Sequence, residues 1–105
     1  MNPVDKLGAA LSSIPGTEAT QSRFGSGRKP AWRVAGCEFA HLHSDTLLDL
    51  RLPRAAQQRL RTDPRAHFRT GASQWLELEF HSEQDVDDLL VLAREAAAAA
   101  RAQSK

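Results

Sequence analysis

The sequence predicts an α+β domain of two layers, in which helices pack on one face of an antiparallel β-sheet of about five strands. Apolar residues recur at helical spacing near both ends of the chain, and segments that alternate between apolar and polar residues fill the middle. Tight turns join successive segments, which favours antiparallel pairing. A length of 105 residues suits one core, so residues 1–105 are expected to form a single domain.

The first helix is predicted from about Pro3 to Ile14. Asn2 suits the N-cap, and proline is favoured at the first helical position. Pro15-Gly16 ends the helix. Its apolar face consists of Val4, Leu7, Leu11 and Ile14.

Four strands are expected between this helix and Pro53. The first runs from about Glu18 to Phe24, and the next three are AWRVA, CEFAHLH and TLLDLRL. Gly36 separates the second strand from the third, and Ser44-Asp45 turns the chain into the fourth. These turns predict a meander of neighbouring strands.

A short basic helix, PRAAQQRLR, begins at Pro53 and ends before Asp63-Pro64, because the residue before proline disfavours helical geometry. The strand from Trp75 to Phe80 directs its leucines to the core and Trp75 away from it. Ser82 is the expected cap of the last helix, whose apolar stripe is Val86, Leu89, Leu90 and Ala93.

Charge is distributed unevenly, although the net charge is only +1. The segment from Ala19 to Gln74 contains ten basic and four acidic residues, whereas the segment from Trp75 to Ala100 contains one basic and seven acidic residues. Such a chain could attract a small anionic ligand or associate with a second copy as a homodimer. The alternative is two charged surfaces that neutralise each other within one fold.

Composition also limits the location of the chain. One cysteine, Cys37, allows no internal disulfide. No stretch is apolar for the roughly 18 residues that a membrane span requires, and the N-terminal residues do not read as a signal peptide. A cytoplasmic protein without membrane contact is expected.

Between Ile14 and Arg94 the sequence carries IPG, FGSG, AWRVAGCEFAHLH, DLRLP, SQWLELEF and DVDDLLVLAR. With these motifs it resembles the small bacterial proteins of the luciferase-domain family. More distantly it is similar to the MmcQ/YjbR group, with which it shares a G-x-x-F-A element and a tryptophan-containing strand in the later part of the chain. The resemblance implies a two-layer fold with an antiparallel sheet. It does not imply light emission, since flavin-dependent luciferases use a (β/α)₈ barrel, which needs about 200 residues or more.

The segment from Glu38 to Arg51 carries the densest set of reactive side chains. His41 and His43 lie two apart on a strand and therefore face the same way. They could offer two imidazoles to one metal, with Asp49 as a carboxylate ligand. Whether they meet Asp49 depends on the turn, because a register change of one residue moves side chains to the opposite face.

A two-residue loop at Ser44-Asp45 is the favoured register. It pairs Glu38 with Arg51 and turns both histidines toward the leucine face, away from Asp49. A three-residue loop would pair His41 with Asp49, but it would place Glu38 on the apolar face, where a charge is costly. The favoured register therefore predicts no metal site. It makes each histidine either a hydrogen-bonded structural residue or a proton-transfer or ligand-binding residue.

Two sets of residues are candidates for binding. The candidate pocket consists of Glu38, His41, His43, Asp49, Arg51 and Trp75. The candidate anion-binding loop consists of Gly25, Ser26, Gly27 and Arg28, whose backbone amides could surround a phosphate. No catalytic residue and no cofactor are assigned.

Three functions are compatible with these features. The leading hypothesis is a small ligand-binding or interaction module, because no complete catalytic constellation is evident. The alternative is a small enzyme that uses His41 or His43 with Glu38 or Asp49 as acid, base or metal ligands. The third is weak nucleic-acid binding through the arginine-rich middle, where Arg54 and Arg61 share a helix face and Arg59 points elsewhere. It is the least favoured, because the last third of the chain is acidic.

Overall fold

The computed structural model describes residues 2–21, 29–69 and 73–103. Within these ranges the chain forms one antiparallel sheet of six strands, in the order β1-β2-β3-β4-β6-β5. The elements are α1 (Pro3–Ser12), β1 (Thr17–Gln21), β2 (Pro30–Val34), β3 (Cys37–Ser44), β4 (Leu47–Arg51), α2 (Arg54–Arg59), β5 (Ala66–His67), β6 (Trp75–Glu79) and α3 (Glu83–Gln103). The predicted α+β class, with an antiparallel sheet and helices packed against it, is confirmed.

Both long helices begin at the caps that the sequence predicts. Asn2 Oδ1 accepts a hydrogen bond from the Asp5 amide at 2.9 Å, and Ser82 Oγ accepts one from the Asp85 amide at 3.1 Å. Asp85 in turn accepts a hydrogen bond from the His81 amide at 2.9 Å. These bonds satisfy backbone donors that the first helical turn leaves without partners.

The core lies between the sheet and the helices α1 and α3. Successive strands contribute two transverse rows of buried residues, Ala40–Leu50–Leu76 and Leu42–Leu48–Leu78. Leu7 and Leu11 of α1 pack in the same cluster as the apolar stripe of α3. None of the described helices is long and apolar enough to cross a membrane.

The strand β5 was not predicted. Two residues, Ala66 and His67, are too few to show an alternating pattern, yet they pair with Leu78 and Glu77 of β6. The strand β6 therefore lies between β4 and β5. The strand β5 is thus an edge strand, and Arg69, two residues after it, reaches Asp49 of β4 at 3.2 Å.

The favoured register of the β3–β4 hairpin is wrong. The turn residues are Asp45 and Thr46, with Ser44 opposite Leu47, and a bulge at His43 shifts the pairing by one residue. His41 consequently lies opposite Asp49 and shares its face of the sheet. Neither turn residue has a positive φ, so the turn lacks the twist of the mirror-image turns that two-residue hairpins prefer. A bulge increases strand twist and compensates for this.

A second bulge explains why Glu38 is not forced onto the apolar face. The pairing of β2 with β3 shifts between Trp32, which faces Ala40, and Arg33, which faces Glu38, so Phe39 is the extra residue. Glu38 therefore points to the same side as His41, while Phe39 is fully buried. The predicted pair of Glu38 with Arg51 does not form among the described residues.

The basic middle of the chain and the acidic α3 meet inside the fold. Arg65 forms ion pairs with three carboxylates, at 3.1 Å to Asp63 and 2.9 Å to both Asp85 and Asp88. Hydrogen bonds to these carboxylates raise the pKa of Arg65, and the bond from Arg65 lowers the pKa of Asp63. Arg59 pairs with Glu95 of α3 at 2.6 Å. Much of the uneven charge is thus neutralised within one molecule.

Candidate functional site

The face of the sheet opposite the helices carries a transverse row of polar side chains. His41 pairs with Asp49, Asp49 with Glu77, and Glu77 with His67, each on the next strand. His43 lies beside this row because of its bulge. We call His43, Asp49 and Glu77, with the adjoining His41, the open-face cluster.

His41 lies between two carboxylates. Its Nδ1 is 3.1 Å from Glu38 Oε2, and its Nε2 is 2.7 Å from Asp49 Oδ2. The Trp75 ring packs beside it, with 4.7 Å between ring centroids, and the histidine is only 8% exposed. Because carboxylates face both ring nitrogens, His41 is suited to hold the two acids in place and poorly suited to contact a ligand itself.

Asp49 is a fully buried carboxylate at the centre of the cluster. Its Oδ2 is 3.4 Å from His43 Nδ1 and 3.2 Å from Arg69 Nη2, in addition to the short contact with His41. The contacts to Oδ2 are close but not aligned as hydrogen bonds, and Oδ1 has no hydrogen-bond partner within the described ranges. A buried acceptor without a partner usually costs about 1–3 kcal/mol, which marks this carboxylate as a functional candidate.

The charge state of Asp49 is determined by opposing effects. Burial raises the pKa of its carboxyl group, whereas the contact with His41 and the positive charges of His41, Arg69 and His43 lower it. The second set of effects is larger, so the pKa of Asp49 lies below its ordinary value. The group is therefore an anion at neutral pH.

His43 and Glu77 are the accessible members of the cluster. The His43 side chain is 48% exposed and that of Glu77 is 25% exposed. His43 Nδ1 lies 3.5 Å from Glu77 Oε2, and one donor atom each from His43, Asp49 and Glu77 lie within 4.8 Å of one another. This arrangement can hold a cation or exchange a proton with a bound molecule.

The structure brings four of the predicted pocket residues together. Glu38, His41, His43 and Asp49 form one group, in contrast to the expectation that the histidines turn away from Asp49. Trp75 joins this group through its ring contact with His41.

Arg51 lies next to the group, opposite Trp75 of β6, and donates hydrogen bonds to Gln74 and to the Cys37 sulfur. With Glu38 and Trp75 it lines a cleft of about 440 Å³. The predicted anion-binding loop, Gly25 to Arg28, lies outside the described residues.

Two residues of the site were missed by sequence reasoning. Glu77 alternates with Trp75 on β6, so its outward direction was visible in the sequence, but the pairing of β6 with β4 was not. Arg69 follows β5, and its contacts with Asp49 at 3.2 Å and Glu77 at 3.8 Å depend on that unpredicted strand. Neither neighbour could be identified without the strand order.

A second cleft, of about 630 Å³, lies beside α2. Its lining residues are Leu52, Pro53, Arg54, Gln57, Gln58, Arg61, Phe68, Arg69, Ser73 and Gln74. No acidic residue is among them, and Phe68 is 46% exposed. Gln57 donates hydrogen bonds to the carbonyl groups of Leu52 and Ser73, which ties α2 to the opposite wall. We call this space the α2 cleft.

Comparison with known proteins relates these features to a family. A family model described as "Luciferase domain" matches residues 36–96, which is more than half of the chain. The match runs from the β2–β3 turn into α3 and includes the whole open-face cluster and the α2 cleft. Searches of curated proteins and of solved structures found no match.

Proposed function

The chain belongs to the luciferase-domain family, and we propose that it is a small ligand-binding domain that takes an anionic organic molecule in its α2 cleft. The observation that carries the proposal is the convergence of Arg54, Arg61 and Arg69 on one cleft, whose described lining residues include no acidic one. The volume of the cleft lies within the range of about 300–1,000 Å³ that is typical of small-molecule sites.

The pairing of the neighbouring arginines supports this proposal. Arg59 and Arg65 are engaged by acids of α3, whereas Arg54 and Arg61 have no ion-pair partner within the described parts of the chain. Guanidinium groups bind carboxylates and phosphates with two parallel hydrogen bonds. An anion in the cleft would therefore supply partners that the fold itself does not provide.

The apolar lining indicates what the anion is attached to. Phe68 is one of two large hydrophobic residues that are strongly exposed among those described, and Pro53 lines the same space. Exposed aromatic surface inside a cleft favours a ligand with a flat apolar part. We expect aromatic carboxylates or phosphates to bind better than aliphatic ones of equal charge.

Nucleic-acid binding is supported less well. The arginine-rich middle does not present a continuous basic surface, because acids of α3 neutralise Arg59 and Arg65. Phosphate-backbone binding requires several accessible cations in a row.

Four expectations from the sequence stay predictions. They are the likeness to the MmcQ/YjbR group, a bacterial source, a cytoplasmic location and self-association.

The proposal is tested by calorimetric titration with a panel of aromatic and aliphatic carboxylates and phosphates. The variants R54Q and R61Q should each weaken the best ligand about 10–100-fold, because a hydrogen bond to a charged group contributes about 1.5–3 kcal/mol. R59Q is the matched control, since it removes the same charge from the same helix but on the side that faces Glu95. Equal losses in R59Q and R54Q, or no ligand with a Kd below about 1 mM, would contradict the proposal.

A second candidate function, acid–base catalysis, rests on His43. This imidazole is half exposed, and its Nδ1 faces the buried Asp49 carboxylate at 3.4 Å. A carboxylate behind an accessible histidine orients the ring and stabilises its protonated form during proton transfer. If an activity is found, H43N should abolish it, and the unchanged activity of that variant would exclude this function.

A further inference from the structure

We propose that His43, Asp49 and Glu77 form a binding site for a divalent transition-metal ion, for which Zn²⁺ is the natural probe. The site is distinct from the α2 cleft, and the proposal does not depend on the ligand proposed there. It replaces the expectation of no metal site, which depended on a hairpin register that the structure contradicts.

The spacing of the donor atoms fits one ion. His43 Nδ1 is 3.4 Å from Asp49 Oδ2 and 3.5 Å from Glu77 Oε2. Two ligands of a tetrahedral ion with bonds of 2.0–2.1 Å are separated by about 3.4 Å. An ion placed between these atoms would therefore need only small movements of the side chains.

The buried carboxylate is an independent observation that points to a ligand. Asp49 is fully buried, yet neither of its oxygens has an aligned hydrogen bond to any residue that the structure describes. Burial of a charged group without full compensation is costly. A coordinated cation would provide that compensation.

His41 and Glu38 act as positioning residues in this proposal. His41 contacts Asp49 Oδ2 through Nε2 and Glu38 through Nδ1, so it fixes the orientation of the carboxylate. Groups that contact the ligands of a metal from behind typically change its affinity about 10–100-fold. We expect H41Q to weaken metal binding within that range.

Arg69 competes with the ion. Its Nη2 is 3.2 Å from Asp49 Oδ2 and 3.8 Å from Glu77 Oε2, so the guanidinium group faces the oxygens that a metal would use. The side chain is 41% exposed and also lines the α2 cleft. The guanidinium group and the ion are thus alternative occupants, and removal of the arginine charge should favour the ion.

The donor set selects the class of ion. One imidazole nitrogen with two carboxylate oxygens suits Zn²⁺ and neighbouring first-row ions. Ca²⁺ requires six or more oxygen ligands, and Mg²⁺ prefers oxygen ligands in a strict octahedron. Three protein ligands leave a coordination position open for water or a small molecule, as in catalytic rather than structural zinc sites.

The test is titration of the full chain, without an affinity tag, after treatment with a chelator and dialysis. Zn²⁺ should bind with one ion per chain, and Co²⁺ should develop visible absorption bands of a tetrahedral site. H43N and E77Q should each weaken binding at least tenfold, and R69Q should tighten it at least threefold. H81N is the matched control, because it removes an exposed imidazole outside the cluster and should leave the affinity unchanged.

Three results would overturn the proposal. The first is that Zn²⁺ does not bind one-to-one with a Kd below about 100 μM. The second is that H81N weakens Zn²⁺ binding as much as H43N does, and the third is that R69Q binds Zn²⁺ more weakly than the wild type.

Circular dichroism of each variant shows whether it is folded. D49N changes a fully buried residue, so H43N and E77Q, at accessible positions, test the site even if D49N does not fold. None of these titrations uses the anion that tests the α2 cleft, so either proposal can fail alone.

Discussion

Replacement of Asp49 by asparagine should lower the free energy of unfolding by about 2 kcal/mol at pH 7. The 2.7 Å contact with His41 joins two nearly buried groups, and removal of one charge from a buried ion pair typically costs about 3–5 kcal/mol. Arg69 and His43 are about half exposed, so their contacts with Asp49 add less than about 1 kcal/mol each. Asparagine avoids the burial of a charge, which offsets part of this loss.

The effect of this variant should depend on pH. The pKa of Asp49 is lowered in the folded chain, so its ionised form stabilises the fold above the ordinary aspartate pKa, and this contribution is lost as the pH falls through the folded value. Asparagine does not titrate. The difference between wild type and D49N should therefore shrink as the pH falls below about 4.

Urea unfolding followed by tryptophan fluorescence measures this difference. The solutions contain a chelator, so that bound metal does not contribute, and the pH is lowered as far as both proteins unfold cooperatively. D45N is the matched control, because Asp45 is an exposed carboxylate in the turn of the same hairpin. A difference below about 0.5 kcal/mol at pH 7, or one that does not change below pH 4, would refute the reasoning, since 0.5 kcal/mol is the usual effect of a surface substitution.

Three further outcomes are expected. In the β2–β3 turn, Ala35 and Gly36 have φ values of 52° and 78°, which asparagine followed by glycine adopts more readily than alanine followed by glycine. The variant A35N should therefore raise the free energy of unfolding by about 0.5–1 kcal/mol. A loss of stability in thermal unfolding would contradict this turn geometry. R65Q should lower the free energy of unfolding by about 1–2 kcal/mol in low salt and by less in 1 M NaCl, because it removes three partly exposed ion pairs with carboxylates. An effect that does not depend on salt would argue against a contribution from these ion pairs. L78A removes a side chain that is 1% exposed and should cost about 2–5 kcal/mol in urea unfolding, and a cost below 1 kcal/mol would be inconsistent with its place in the core.

The positions of the helices and longer strands were predictable because their signals are local. Asn2 and Ser82 cap helices through bonds to residues three positions away, and the alternation of β6 from Trp75 onward directs its leucines to the core. These features depend on backbone geometry that repeats over a few residues. The six-stranded sheet exceeds the expected five strands by one element of two residues, which is too short to carry such a signal.

The candidate site was predictable only in part. The segment from Glu38 to Arg51 contains most of its residues, but its register was wrong because two bulges, at Phe39 and His43, were not visible in the sequence. Bulges depend on the twist of neighbouring strands and on packing against the core. Two such shifts were enough to bring Glu38 and both histidines to one face.

The sequence by itself determined the α+β class, the caps at which both long helices begin, and the reactive residues, because residue spacing and capping act within a few positions. Tertiary structure alone decided that Asp49 is buried beside His41, that Glu77 lies next to it, and that Arg69 approaches from beyond β5. These contacts join residues that are distant in sequence, and their geometry follows from strand order and register. The physical reason is that side-chain direction repeats every two residues along a strand, so a single inserted residue reverses every position that follows it.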